Sequence, residues 1–344
     1  MSMDEHVLEK LGWGPPFQEA WRSRASEGEE PARIAADYGV EYMLYSARGD
    51  LRATIPGRLR MEIRKGKSLR PVVGDWVSFE PRSQEGTTVI QAVLPRRTQL
   101  ARKAAGRADE EQVVAANLDV VFLVSALTRD LNPRRLERYL TVAWDSGAQP
   151  VVVLTKADLC EDVGAARERI ATLAPDVPLH TVSSYTGEGL DVLWQYIGGN
   201  RTVALIGSSG VGKSTLINRL VGAARMEVGT TREDDKGRHT TTHRELFVLP
   251  QGGLVIDTPG MRELGLMENE EGLRTAFTDI EELAAGCRFN DCRHEKEPGC
   301  AVQEALRSGQ LAPERLENFR KLVQEVATKK TSRAFSDSPK KRGR

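Results

Sequence analysis

The stretch GSSGVGKST, residues 207 to 215, places four residues between Gly207 and the run Gly212-Lys213-Ser214. An apolar run, TVALI, precedes it and TLINRLV follows. The spacing therefore predicts a strand, a tight loop and a helix, the context of a phosphate-binding loop. Glycines let backbone N–H groups turn inward around phosphates, and the helix start adds partial positive charge. Lys213 would reach the β and γ oxygens, and the Ser214 hydroxyl would ligate Mg²⁺. In this reading Gly207, Ser208, Ser209, Gly210, Val211, Gly212, Lys213, Ser214 and Thr215 all line a nucleotide. Downstream, GGLVIDTPG (252 to 260) reads as a strand that HRELFVL (243 to 249) can pair with antiparallel. Asp257 at its end would hold Mg²⁺ through water, and the Gly260 backbone N–H would meet the γ-phosphate. The polar loop 223 to 242 ends in GRHTTT, where Thr240 or Thr241 would complete the Mg²⁺ shell as a switch ordered by the γ-phosphate. Gly229-Thr230-Thr231 is a competing candidate.

A base reader lies ahead of these motifs rather than behind them. VVVLTKADL, 151 to 159, ends an apolar strand in Thr155-Lys156-Ala157-Asp158. Asp158 can accept from guanine N1–H and N2–H₂, a pairing adenine cannot offer, while the Lys156 stem packs along the base. VSSYTGEGL, 182 to 190, supplies another strand end, where Ser183 and Ser184 can give a backbone N–H to guanine O6. The order is base loop, base-contact loop, phosphate loop, switch, Mg²⁺ aspartate. That is a circular permutation, tolerated because packing depends on where strands lie and because exposed loops accept a cut.

A second constellation, Cys287-x₄-Cys292-x-His294-x₅-Cys300, brings three thiolates and one imidazole together with no ligand vacancy for catalysis. It suits one structural zinc in tetrahedral coordination. Cys160 reads as a packed core thiol.

The elements that must position these residues follow from texture. Residues 1 to 37 read as a poorly structured extension with one short helix around Phe17 to Ser23. From 38 to 103, EYMLYSA, LRATIPG, DWVSFE and TTVIQAVL alternate with Gly, Pro and Asp turns, which predicts a small antiparallel barrel of five strands, an OB-fold. Residues 104 to 266 alternate apolar strands with amphipathic helices, including PRRLERYLTVAWDSG with Pro133 at its first turn, and helices near 163 to 174 and 189 to 197. This predicts a parallel sheet covered on both faces. Residues 267 to 327 read as a largely helical zinc domain and 328 to 344 as a basic tail. The expected whole is a multidomain protein: an N-terminal OB-fold barrel, a central α/β circularly permuted P-loop GTPase domain and a helical zinc domain.

The 344 residues carry 49 basic and 49 acidic side chains, but the balance is uneven. Residues 51 to 70 hold seven basic side chains (Arg52, Arg58, Arg60, Arg64, Lys65, Lys67 and Arg70) against Glu62. Residues 96 to 107 add Arg96, Arg97, Arg102, Lys103 and Arg107 unopposed, and 329 to 344 add seven more against Asp337. Blocks of this kind point to a polyanion such as nucleic acid. No run reaches the roughly 20 apolar residues of a membrane helix, and the start lacks a signal-peptide layout, so the expectation is a cytoplasmic protein with no membrane contact; it is expected to be a monomer.

With these motifs in place, the sequence resembles the RsgA/YjeQ family of circularly permuted GTPases over roughly residues 38 to 325. The resemblance implies GTP hydrolysis to GDP stimulated by the small ribosomal subunit, a role in late subunit maturation, rRNA contact through the barrel and zinc domain, and one zinc ion. The guanine loop departs from many GTPases in having Thr155 in place of Asn. Many GTPases also orient the attacking water with a Gln after Asp-x-x-Gly, where this chain has Met261. His239 of GRHTTT is the nearest group able to replace it. Two rival readings are an ATP-dependent kinase sharing only the phosphate loop and a nucleic-acid regulator with a vestigial site. The first leaves TKAD and SSYTGEGL unexplained, and intact Lys213, Ser214 and Asp257 argue against the second.

Overall fold

The computed structural model describes residues 3–81, 87–103, 111–129, 131–222, 244–257, 275–289 and 291–336. Two helices, Met3–Lys10 and Pro15–Arg24, open the chain. Gly14, Pro15 and Pro16 look like breakers in sequence, yet a proline in the first turn costs no hydrogen bond and presets φ. These helices and the turn between them bury Leu8, Leu11, Trp13 and Phe17. Trp13 packs edge-on against Trp76 of the barrel, 4.6 Å between ring centroids.

Five strands build that barrel: β1 Glu30–Asp37, β2 Glu41–Ser46, β3 Gly49–Thr54, β4 Trp76–Glu80 and β5 Thr88–Val93. Their order is β1-β2-β3-β5-β4, and β4 pairs back onto β1 to close the ring. A helix, Gly57–Arg64, bridges β3 and β4. The OB-type architecture is thus present, but its first strand lies in the segment expected to be an unstructured extension. All seven cations of the 51 to 70 block stand exposed on the barrel, on β3, that helix and the loop after it.

The register of β1 against β2 shifts between Ile34 and Ala36, and Ala36, still paired with Met43 of β2, pairs on its other edge with Glu245 of the second sheet. Barrel and α/β sheet are consequently one continuous run of strands. Arg33 locks the junction. Its buried guanidinium donates to the carbonyls of Gly74 at 3.2 Å, Asn117 at 3.1 Å and Leu11, and lies over Trp76. Burial pulls its pKa down to about 10, which leaves it charged at neutral pH.

A hairpin of β6 Gln99–Lys103 and β7 Glu111–Ala116 leads into the α/β sheet. That sheet contains β8 Val120–Ala126, β9 Gln149–Thr155, β10 Leu179–Thr181, β11 Thr202–Ile206, β12 Glu245–Val248 and β13 Leu254–Asp257. The order is β10-β9-β8-β11-β13-β12, with only β12 antiparallel to its neighbour β13. Its parallel strands are continuously apolar because helices Pro133–Asp145, Val163–Ala171 and Lys213–Val221 cover both faces. The helix expected near 189 to 197 is two short turns, Asp191–Leu193 and Trp194–Ile197. Helices Thr278–Ala284, Ala301–Ser308 and Pro313–Ser336 complete the chain, the last reaching into the segment read as a basic tail.

Two buried ion pairs fasten the parts. Arg96 pairs with Asp75 at 2.8 Å, so this cation of the second basic block holds the barrel rather than facing solvent. Arg315 of the last helix pairs with Glu137 of Pro133–Asp145 at 3.0 Å and with Asp279 at 2.8 Å, and lies 4.2 Å from the Phe277 ring centre. Burial pushes the Glu137 carboxyl up and Arg315 pulls it back. Removing one partner of such a pair typically costs about 3–5 kcal/mol, because a buried charge is left uncompensated. No helix among the described residues is long and apolar enough to cross a membrane.

Candidate nucleotide site and metal cluster

The parallel strands all end on one rim, where α/β sheets bind ligands. Register fixes the order along it: Thr155 ends β9 opposite Ala126, Leu123 of β8 lies opposite Ile206, and Ala204 lies opposite Ile256. Asp257, one residue beyond Ile256, is therefore buried two positions along the rim from β8, beside the strand that feeds the phosphate loop.

Gly207 begins that loop under severe restriction, since a Cβ there would lie 2.3 Å from the Val124 carbonyl oxygen of β8. Gly212 sits at φ +96° and caps helix Lys213–Val221. Lys213 folds back so that Nζ donates to the carbonyls of Gly207 and Ser208, both at 2.7 Å. Its ammonium thus waits at the loop mouth, with Ser209, Gly210, Ser214 and Thr215 exposed around it and Val211 buried below. Gly207→Ala should force β8 and the loop apart, costing about 1–3 kcal/mol of stability, as overpacking does. A thermal melt and a GDP titration check this, and a variant matching wild type in both would contradict the tight approach.

The base loop is tied to the phosphate loop by Thr155. Its hydroxyl donates to the Val211 carbonyl at 2.5 Å, the nearer of two acceptors, Ser125 being 3.3 Å away. A threonine in place of Asn therefore still joins the two loops. Lys156 adopts left-handed φ +58°, and Ala157 N–H donates to Val182 O at 3.2 Å, which turns the chain so that Asp158 emerges exposed. Strain of this kind gathers at sites whose surroundings over-determine it. Fully buried Ser183 donates its hydroxyl to Asp158 Oδ1 at 2.5 Å and accepts from the backbones of Tyr185 and Thr186 at 3.2 and 3.1 Å. Ser184 is buried beside it. Ser183 thus acts through its side chain, orienting the carboxylate.

Two arginines escaped the sequence reading. Arg219, on the phosphate-loop helix, donates to the carbonyls of Ser184 at 2.7 Å and Tyr185 at 2.8 Å, fastening the base-contact loop from behind. Its signal was faint, a single cation in TLINRLV. Arg135 donates to Ser208 Oγ at 3.0 Å from the first turn of Pro133–Asp145. His239, Thr240, Thr241, Gly260 and Met261 lie outside the described residues, as do Gly229, Thr230 and Thr231.

The metal cluster forms in the loop between helices Thr278–Ala284 and Ala301–Ser308, with Cys300 at the cap of the second. Ligand atoms of Cys287, Cys292, His294 and Cys300 all lie within 4.8 Å of one another. Cys287 and Cys300 Sγ are 3.8 Å apart, and each is 3.5 Å from His294 Nδ1. Ordinary Zn–S and Zn–N lengths in a tetrahedron put S···S at about 3.8 Å and S···N at about 3.6 Å. The donor set and its spacing fit zinc. His294 takes φ +59°, and its carbonyl accepts from Gln303 and Arg320.

Comparison with known proteins places this geometry among relatives. Residues 93–267 match the family model described as RsgA GTPase. The chain is 48% identical over 331 residues to the small ribosomal subunit biogenesis GTPase RsgA of Opitutus terrae, covering 93% of this chain and 90% of that protein. A protein of the same name from Xanthomonas axonopodis pv. citri is 44% identical over 338 residues, covering 95% and 90%. The crystal structure of YjeQ from Thermotoga maritima superposes with TM-score 0.65 at 27% identity, covering 87% of this chain and 99% of that one. YloQ, described as a circularly permuted GTPase, shares the fold at TM-score 0.61 and 24% identity, covering 89% and 98%.

Proposed function

Because the chain belongs to the RsgA GTPase family, we propose that it hydrolyses GTP to GDP and phosphate under stimulation by the small ribosomal subunit, as a late maturation factor that binds rRNA. The observation that carries the reading is the tie between base loop and phosphate loop, Thr155 to Val211, with Asp158 held outward by Ser183. Asp158 reads guanine N1–H and N2–H₂, Lys156 and Ala157 line the base, and Ser184 presents its backbone to O6. Lys213 meets the β and γ oxygens. Ser214 and Asp257 are the residues that would hold Mg²⁺, with Thr240 or Thr241 from the switch, and the cation when bound neutralises charge building on the phosphates. Gly260 N–H meets the γ-phosphate. The zinc set is structural and holds Arg288, Arg293 and Lys296 on a rigid knuckle. That knuckle and the exposed barrel cations face the rRNA phosphates, and the division into barrel (38–103), GTPase (104–266) and zinc (267–327) parts assigns rRNA contact to the outer two. The chain acts as a monomer in the cytoplasm.

With Met261 unable to orient water, intrinsic turnover should be slow, and His239 serves as the group that positions or deprotonates the attacking water when the particle is bound. Single-turnover hydrolysis by wild type and His239→Ala, with and without small subunits at fixed Mg²⁺ and salt, tests this. The expected result is acceleration by particles that His239→Ala largely abolishes, a loss of about 10²–10⁴-fold for a general base. Equal acceleration of both proteins removes His239 from catalysis, and acceleration of neither removes the subunit from the mechanism.

A further inference from the structure

Helix Pro133–Asp145 touches the phosphate loop at one end of its first two turns and the C-terminal segment at the other. Asn132 caps it, accepting the Arg135 N–H at 3.2 Å, and Pro133 fixes the first turn, so the Arg135 backbone has a set position. From there the guanidinium donates to Ser208 Oγ at 3.0 Å. Ser208 is also one of the two residues whose carbonyls hold Lys213 Nζ. Moving Ser208 moves the ammonium that meets the γ-phosphate.

Two positions on, Glu137 turns inward. It is 1% exposed and accepts from Arg315 at 3.0 Å. Arg315 is itself held by both Asp279 oxygens, by the Ala276 carbonyl at 2.8 Å and by the Phe277 ring. On the same C-terminal helix, Arg320 donates to the carbonyl of His294, a member of the zinc set. A buried charge pair such as Glu137 and Arg315 does not stretch gradually, because any separation strands a charge away from water. The two helices must therefore shift together or part altogether.

We propose that helix Pro133–Asp145 is a positioning element for hydrolysis, gripping Ser208 through Arg135 and fixed to the zinc-bearing segment through Glu137 and Arg315, so that contact of that segment with the particle resets the phosphate loop. Arg135 is a positioning residue that acts through Ser208 and Lys213. The inference rests on the proposed stimulation by the small subunit.

The test uses the zinc-loaded full-length chain as wild type, Glu137→Gln, Arg135→Gln and the double variant. Single-turnover GTP hydrolysis is measured with and without saturating small subunits, alongside co-sedimentation with the particle and a thermal melt. Glu137→Gln should keep its unstimulated rate and its co-sedimentation while its stimulated rate falls about tenfold, the scale of an ordinary coupling between sites. Arg135→Gln, exposed and safe for folding, should lower the stimulated rate to a similar extent, and the double variant should be no slower than the worse single one. Stimulation equal to wild type in both single variants overturns the proposal, as does a fall that merely tracks lost co-sedimentation. Should Glu137→Gln melt below the assay temperature, full stimulation of Arg135→Gln still overturns it. Particles that fail to accelerate even wild type defeat the functional reading itself, and this coupling with it.

Discussion

Asp158→Asn is expected to exchange guanine for xanthine. In the wild-type site Ser183 Oγ donates to Asp158 Oδ1 at 2.5 Å, which fixes the carboxylate and presents it to solvent as an acceptor. An asparagine there would keep its oxygen toward the Ser183 hydroxyl and turn its NH₂ toward the base. Guanine would then meet a donor with its own N2–H₂ donor, whereas xanthine carries an acceptor at that atom. Losing a charge-assisted pair and leaving polar groups unpaired should cost GTP about 2–4 kcal/mol. Calorimetric titration of both proteins with guanosine and xanthosine diphosphates reads the exchange directly. Unchanged guanosine affinity would mean that residues 155 to 158 are not the base reader, and the joining of this loop to Gly207–Thr215 in one site would lose its support.

Removing zinc should undo the C-terminal segment and leave the nucleotide site standing. The cluster residues span loop-rich chain whose local order depends on His294, held at φ +59° with its carbonyl clasped by Gln303 and Arg320. Structural zinc supplies an apparent binding free energy of about 10–16 kcal/mol in finger peptides, and that energy is folding energy. We expect about one equivalent of zinc per chain, the complement of a closed tetrahedral set. Cys292→Ser should expose the backbone of residues 280 to 305 to hydrogen exchange while GDP affinity largely persists, since Asp158, Thr155 and Lys213 lie on the α/β sheet's rim. Protein purified without chelator that contains no zinc would overturn the assignment.

What the sequence made legible were the places where chemistry fixes residue type and spacing together. The glycine-lysine spacing at 207 to 213 does fold into a tight loop with Lys213 turned back over it, Thr155 does reach that loop at Val211, and the four spaced cysteine and histidine donors do converge within 4.8 Å. The circularly permuted order of these motifs was legible too, whereas the strand order came only with the structure. What stayed hidden has physical reasons. EPARIAAD, the first barrel strand, shows no alternation because Ala32 to Ala36 are buried on both sides and Arg33 is spent on capping three carbonyls. Helix Gly57–Arg64 buries only Leu59, so its apolar period is too thin to see. Arg96 looked like a surface cation until Asp75, 21 positions away, was placed against it. Glu137 and Arg315 stand 178 positions apart, and a single pair at that separation leaves no pattern in a sequence.

The joined site makes its sharpest claim in nucleotide choice under stimulation. Phosphate release should be followed from GTP and from ATP, each with and without small ribosomal subunits, using the zinc-loaded chain at fixed Mg²⁺ and salt. Slow release from GTP alone, marked acceleration by the particle and no significant release from ATP in either condition is the predicted pattern. Comparable turnover of ATP, or GTP turnover that particles leave unchanged, would contradict it.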